Sequence, residues 1–307
     1  MNKIERVRAT LAGQPVDRAP FTMWYHFGNQ HAEPDLTARV HLDFFEHYDL
    51  DLLKVMNDYD YPMPAGLDTI DTVAGLARLE PFDPEKTPLG RQLRAVETIA
   101  KALRGRALFV DTVFNAWNTL RRNVVKEWIK ELMVREPEQL ARALGIVNDN
   151  LIRYALATLE RGAAGIYLSV PATAEDLTRE QYDRFMRPFD LALLQAIAGR
   201  GECHVVHAHG RRLHLDRLLD YPAHVLSWAD LNGGPPLAEV RRMTDRTLMA
   251  GIDHELFPYL SARAVREQVA AARTHGGASR FILAPGCSVP TYSYPPLIHA
   301  AAAAARA

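Results

Sequence analysis

The sequence predicts a single-domain α/β protein, a (β/α)8 TIM barrel. Three observations carry that expectation. Eight short apolar runs alternate with longer amphipathic segments along the 307 residues, the pattern of a parallel α/β fold. The segment after the first run, Trp24-Tyr25-His26-Phe27-Gly28-Asn29, holds no glycine-rich phosphate loop, which a doubly wound open sheet would place there. No low-complexity linker divides the chain, and α/β barrels of about 250 residues commonly stand as one domain.

The elements follow in order. Met1–Gln14 is charged and helical and lacks the apolar stretch of a signal peptide. The turn signal Gly13-Gln14-Pro15 leads to a first strand at Ala19–Trp24, and a helix follows over Leu36–Tyr48. Leu52–Met56 is the second strand and ends at Asn57-Asp58. Tyr61–Pro88 is a proline-rich loop, longer than a simple connection needs and therefore a candidate lid. Helix Arg91–Arg104 comes next, then strand Ala107–Phe114, then helices Leu120–Arg135 and Pro137–Arg161. Pro137 suits the first turn of its helix, where no backbone N–H is required. Ile166–Val170 is the fourth strand. Thr178 opens a helix reaching about Gly199, with Gln181 three residues on to complete a capping box. The remaining units are shorter: strand Cys203–His207 and helix Leu213–Leu219, strand Val225–Trp228 and helix Leu237–Met243, strand Leu248–Gly251 and helix Ser261–Thr274, strand Phe281–Ala284 and helix Pro295–Ala305.

Composition narrows the function. Lysine plus arginine number 36 against 37 aspartate plus glutamate, a net charge of −1. No basic stripe suited to nucleic acid or an anionic membrane follows from that balance, which leaves small-molecule substrates. No run of about 18 apolar residues is present, so no membrane span is expected. Two cysteines, Cys203 and Cys287, cannot build a disulfide framework, and with no export signal they point to a reducing, cytoplasmic compartment.

In such a barrel chemistry sits at the C-terminal strand ends. The sharpest constellation there is His207-Ala208-His209-Gly210 with Pro285-Gly286-Cys287. Side chains of an extended segment alternate, so His207 and His209 share a face. Two imidazoles and a thiolate are good Zn²⁺ ligands and leave a fourth position free. The plain alternative is chance: with 12 histidines in the chain a His-x-His pair arises easily, and a free cysteine is often a small core residue. Placement of both pieces on one rim weighs toward metal. Asp230 is a candidate fourth ligand, a group orienting a ligand, or a helix cap before Leu237. His26, Asp58 and Tyr167 are candidate catalytic residues; His26 is also explicable as a hydrogen-bonded rim histidine and Asp58 as the cap of a loop helix. Trp24, His26, Tyr167 and Tyr292 are expected to shape the cavity above the metal. Cys203 and His204 read as structural.

These residues also carry a resemblance. Arg6-Val7-Arg8-Ala9 through Gly13-Gln14-Pro15-Val16-Asp17-Arg18-Ala19-Pro20, then Gly162–Ser169, Glu180-Gln181-Tyr182, His207–Gly210 and Pro285–Cys287 resemble the uroporphyrinogen decarboxylase superfamily over nearly the whole chain. That superfamily includes zinc-dependent methyltransferases that act on methylated corrinoid proteins. The resemblance implies a barrel, an enzyme, and often a homodimer. True decarboxylases carry arginines after the first strand to grip a polycarboxylate, whereas Phe21–Glu33 contains no arginine or lysine. The resemblance therefore lies nearer the methyltransferase branch, although Asp58 matches the decarboxylase aspartate. The branch carries His-x-Cys and a later Cys; here His209 stands in place of the middle cysteine. One thiolate instead of two makes a more positive site and a stronger Lewis acid. The function implied is zinc-dependent methyl transfer from a corrinoid on a partner protein, or a related donor, to a thiol-type acceptor. Decarboxylase or lyase chemistry on a small carboxylate and a non-catalytic ligand-binding barrel are the alternatives.

Overall fold

Seven strands form one parallel sheet in the computed structural model, which describes residues 1–307. They are β1 (Leu52–Val55), β2 (Leu108–Phe114), β3 (Gly165–Val170), β4 (Val205–Ala208), β5 (Val225–Trp228), β6 (Thr247–Ile252) and β7 (Phe281–Pro285). Each pairs with the next in chain order. Helices on the outer face cover this sheet, among them Leu89–Leu103, Pro137–Glu160, Ala262–Gly276 and Pro295–Arg306.

The sheet is curled. Strand alternation sends Leu52 to one face and Leu53 and Val55 to the other. The inner face gathers residues from every strand: Leu52, Val110, Tyr167, Val205, Val225, Met249 and Ile282 pack in one buried cluster with Trp24 and Val7. Leu53, Val55, Val206, Leu226 and Leu283 belong instead to the large core beneath the helices.

The expected eighth strand, Ala19–Trp24, needs correction: the sheet has seven regular strands. That segment makes one bridge, Phe21 to Leu283 of β7. Thr22 N donates to Leu283 O at 3.1 Å, Leu283 N to Pro20 O at 2.8 Å, and Asp51 N to Phe21 O at 2.8 Å. It therefore bonds to both ends of the sheet. Pro20 has no N–H to donate, which limits regular ladder pairing.

Three helices also depart from expectation. Thr178–Gly199 is broken into Arg179–Phe185 and Arg187–Ala196, because Pro188 removes a donor and crowds the preceding turn. Its Thr178–Gln181 capping box is present. Leu120–Arg135 is divided at Lys126, whose φ is 52°, and only Ile129–Arg135 is regular α-helix. Leu213–Leu219 reduces to a single turn at Leu215–Arg217. No helix is long and apolar enough to cross a membrane.

Candidate metal centre

β4 ends at Ala208, so His207 is its last inward-facing residue. Strand register lines Ser169 of β3, His207 of β4 and Ser227 of β5 side by side. Ser227 Oγ lies 3.1 Å from His207 Nδ1. The other ring nitrogen, Nε2, is buried without a protein partner. Gly210, at φ 111°, turns the chain directly after His209; a Cβ there would come within 2.8 Å of Thr173 Cβ. On β7's side, Gly286 allows a close approach, since its Cβ would sit 2.6 Å from Ala229 Cα. That approach delivers Cys287.

The result is convergence. One donor atom each from His207, His209 and Cys287 lies within 4.8 Å of the others. Cys287 Sγ is 3.7 Å from His209 Nδ1. Tetrahedral zinc with ordinary bond lengths separates a sulfur from a nitrogen ligand by about 3.6 Å. The residues present therefore fit a zinc ion: an unpartnered buried imidazole nitrogen, a second imidazole and a soft sulfur. Burial alone pushes the Cys287 thiol up, but His207 and His209 outweigh it and hold the thiol well below its ordinary range. Burial pushes His207 down. The neighbouring Cys287 pushes His209 up.

The three residues open onto a cavity of about 640 Å³. His26, Ser169, Asn118, Arg121, Arg122 and His254 are also on its wall. A volume of this order suits a small-molecule site.

The other expected residues fall as follows. Asp58 binds His26: Oδ1 is 2.8 Å from His26 Nδ1, and Oδ2 accepts from Gly28 N at 3.1 Å. Burial works to raise the Asp58 carboxyl, but His26 and the backbone donors outweigh it and lower it. Asp230 lies outside the His–His–Cys group. Its Oδ1 accepts from Gly251 N at 3.0 Å, and burial pushes it up to about 6. Tyr167 is buried below the cavity, its ring centroid 5.3 Å from that of His207 and its hydroxyl 3.4 Å from Ser227 Oγ. Three expected cavity walls need correction, since neither Tyr167 nor Trp24 nor Tyr292 lines the cavity. Trp24 is buried beneath the floor beside Tyr167. Tyr292 is 67% exposed, its hydroxyl beside that of Tyr259. Cys203 is buried and its thiol pushed up to about 12 by that burial, as suits a structural residue.

Sequence reasoning missed Ser227 and Lys54. Both are polar residues inside short apolar strands, and that interruption was the available signal. Lys54 of β1 faces inward, with Nζ 4.3 Å from the Tyr167 ring centroid and 5.0 Å from that of Trp24. It donates to Thr112 Oγ1 at 3.0 Å. Burial pushes its pKa down to about 7, against the pull of Cys287, Asp58 and Asp111. The unfolded chain takes up this proton near pH 10, the folded chain only near pH 7. Stability from this group is thus lost as pH falls through that window. Lys54→Met should stabilise the fold at pH 6 by roughly 1–4 kcal/mol, as apolar replacements of buried ionic groups often do. The gain should shrink toward pH 10. Urea denaturation at both pH values measures it, and a gain that does not depend on pH contradicts the titration argument.

A curled parallel α/β sheet, a polar cavity and a His–His–Cys donor set thus come together at the C-terminal strand ends. The chain belongs to the uroporphyrinogen decarboxylase (URO-D) family, whose model matches residues 2–307. The resemblance read from the motifs is thereby borne out at the level of the family. No curated protein matches the chain significantly. Among solved structures, it is similar to a methyltransferase from Methanosarcina mazei, with 17% identity, a TM-score of 0.80, and 99% of this chain and 98% of that chain covered. It is also similar to a B12-independent methionine synthase from Shewanella sp. W3-18-1, with 13% identity, TM-score 0.51, and 69% and 64% covered. A putative vitamin-B12-independent methionine synthase from Listeria monocytogenes has 9% identity, TM-score 0.54, and 88% and 86% covered. At these identities the likeness establishes a shared fold.

Proposed function

We propose that this chain is a zinc-dependent methyltransferase that moves a methyl group from a corrinoid or related donor to a thiol-type acceptor. The observation that carries the reading is the convergence of His207, His209 and Cys287 on one cavity. The likeness in fold to the Methanosarcina mazei methyltransferase supports it. The reading takes Pro20–Trp24 as the segment that completes the barrel between β7 and β1, and His207, His209 and Cys287 as the ligands. Asp230 is kept as a group that steadies the cavity through Gly251.

Bound by these three residues, zinc supplies Lewis acidity that brings a thiol to its thiolate form near neutral pH. The chain's residues do the positioning. Ser227 fixes the His207 ring from the far nitrogen, which orients Nε2 toward the cavity. The Gly210 and Gly286 turns hold His209 and Cys287 at the rim. The cavity admits the acceptor and aligns its sulfur with the donor's methyl carbon. A sulfur–carbon bond forms, and the electron pair of the broken bond stays with the donor.

One observation favours a second reading, decarboxylation or lyase chemistry on a small carboxylate. Arg122 lines the cavity and makes no ion pair; it rests over the Phe114 ring at 5.1 Å. Such a guanidinium is a ready carboxylate receptor.

Zinc analysis of protein purified without a histidine tag, followed by demethylation of methylcobalamin in the presence of a small thiol, separates the two. The methyltransferase reading expects about one zinc per chain and chelator-sensitive turnover. Zinc below about a tenth of an equivalent would remove it. Carbon dioxide or alkene release from an added small carboxylate, unaffected by chelator, would install the second reading in its place.

A further inference from the structure

The cavity holds a second chemical device opposite in character to the metal ligands. His26 follows the Pro20–Trp24 segment, and Asp58 follows β1. Chain folding brings them to 2.8 Å, Nδ1 to Oδ1. The Asp58 carboxylate is pinned at its other oxygen by Gly28 N at 3.1 Å, and its side chain is only 10% exposed. The His26 side chain is 43% exposed, stacks on Phe114 at 12° between planes, and lines the same cavity as Cys287. No protein group engages its Nε2.

We propose that His26 is the general base of this site and that Asp58 is its positioning residue. The inference rests on the thiol-acceptor reading above. A carboxylate at Nδ1 keeps the ring proton there, which leaves the Nε2 lone pair available to take a proton. The acceptor's S–H bond breaks, its proton passes to Nε2, and the sulfur keeps the electron pair. The imidazolium so formed is balanced by Asp58. After the methyl group has moved, the proton leaves to water at the exposed ring edge, so no co-reactant is needed. Asp58 holds the ring at Nδ1, Arg122 packs on the same Phe114 ring, Arg121 shares the cavity wall, Lys54 acts on Asp58 from β1, and Asp60, beyond Asp58 in the same loop, is held by Asn123. None of them is hydrogen-bonded to His207, His209 or Cys287.

The pairing gives separable readouts. Calorimetric titration of the zinc-loaded protein with 2-mercaptoethanol, in buffers of different ionisation enthalpy, counts protons released on thiol binding. Wild type should release fewer protons than His26→Gln, in which release should approach one per thiol. In turnover, His26→Gln should lower kcat about 10²- to 10⁴-fold at unchanged zinc content. Asp58→Asn should lower kcat with KM little changed, because the ring is still present but free to take the other tautomer. Equal proton release and equal kcat for wild type and His26→Gln, both fully zinc-loaded, would overturn the assignment and leave the metal centre standing. A wild-type protein that holds no zinc would overturn both.

Discussion

Cys287→Ser should abolish stoichiometric zinc binding and, with it, methyl transfer. The argument is one of donor chemistry. Cys287 is the single sulfur among three donors, and two imidazoles outweigh burial and hold its thiol well below its ordinary range. A serine hydroxyl of nearly the same shape remains protonated at neutral pH and is a poor ligand. Affinity should fall by at least about 100-fold, beyond the 10–100-fold that loss of an orienting neighbour costs. Ser227→Ala supplies that milder case, since it removes the hydroxyl beside His207 Nδ1 and the Tyr167 hydroxyl and leaves all three donors in place. Stability provides a readout independent of activity. Free zinc at 100 times its dissociation constant adds about 2.7 kcal/mol to the folded state. Wild type should therefore show a zinc-dependent rise in Tm that Cys287→Ser lacks, while the two metal-free proteins melt close together. A lower pH should shrink the wild-type rise, because protons compete for the imidazoles. If zinc raises Tm equally in both proteins, the metal sits elsewhere.

What could be read before the structure differs between the fold and the site. β2 to β7 lie within two residues of their expected bounds because parallel strands buried on both faces form dense apolar runs. His207 and His209 were legible because alternation is a local rule, and Cys287 because it follows the last strand. Ser227 and Lys54 were hidden for the opposite reason. Which face of a strand a residue occupies is local, but which neighbours it meets there depends on register. His207 opposite Ser227 is a fact of the β4–β5 ladder alone. The His26–Asp58 pair lies further out of reach. Both residues were visible as rim candidates, but their contact depends on how the irregular segment after Trp24 folds toward the loop after β1. Tyr292 is not a cavity wall, because position at a rim does not specify direction and its side chain is left largely exposed.

The first motif of the chain turns out to be a clamp on the open side of the sheet, and Asp51→Ala should destabilise the protein by about 3–5 kcal/mol, the cost of breaking a buried ion pair. Asp51 is buried, with 1% of its side chain exposed. Its Oδ1 accepts from Arg6 Nη1 at 2.7 Å and its Oδ2 from Arg18 Nη1 at 2.5 Å. Oδ2 also accepts from Phe21 N at 2.9 Å. One carboxylate thus ties the N-terminal helix, the Pro20–Trp24 segment and the start of β1. Removing it leaves Arg6, 8% exposed, with Asp17 as its only carboxylate partner, and frees the segment that bonds to β7. Asp17 also pairs with Arg6, at 2.7 Å, yet is 42% exposed. Solvent screens such a pair, so Asp17→Ala should cost about 1 kcal/mol or less. Urea denaturation of the two variants compares burial at matched charge change. Amide hydrogen exchange at Phe21 and Thr22 should accelerate in Asp51→Ala before the rest of the sheet does. Equal losses for the two aspartates would mean that charge alone, and not a buried clamp, holds this side together. Since the same segment leads directly into His26, a loosened clamp should reach the cavity, lowering turnover without removing zinc.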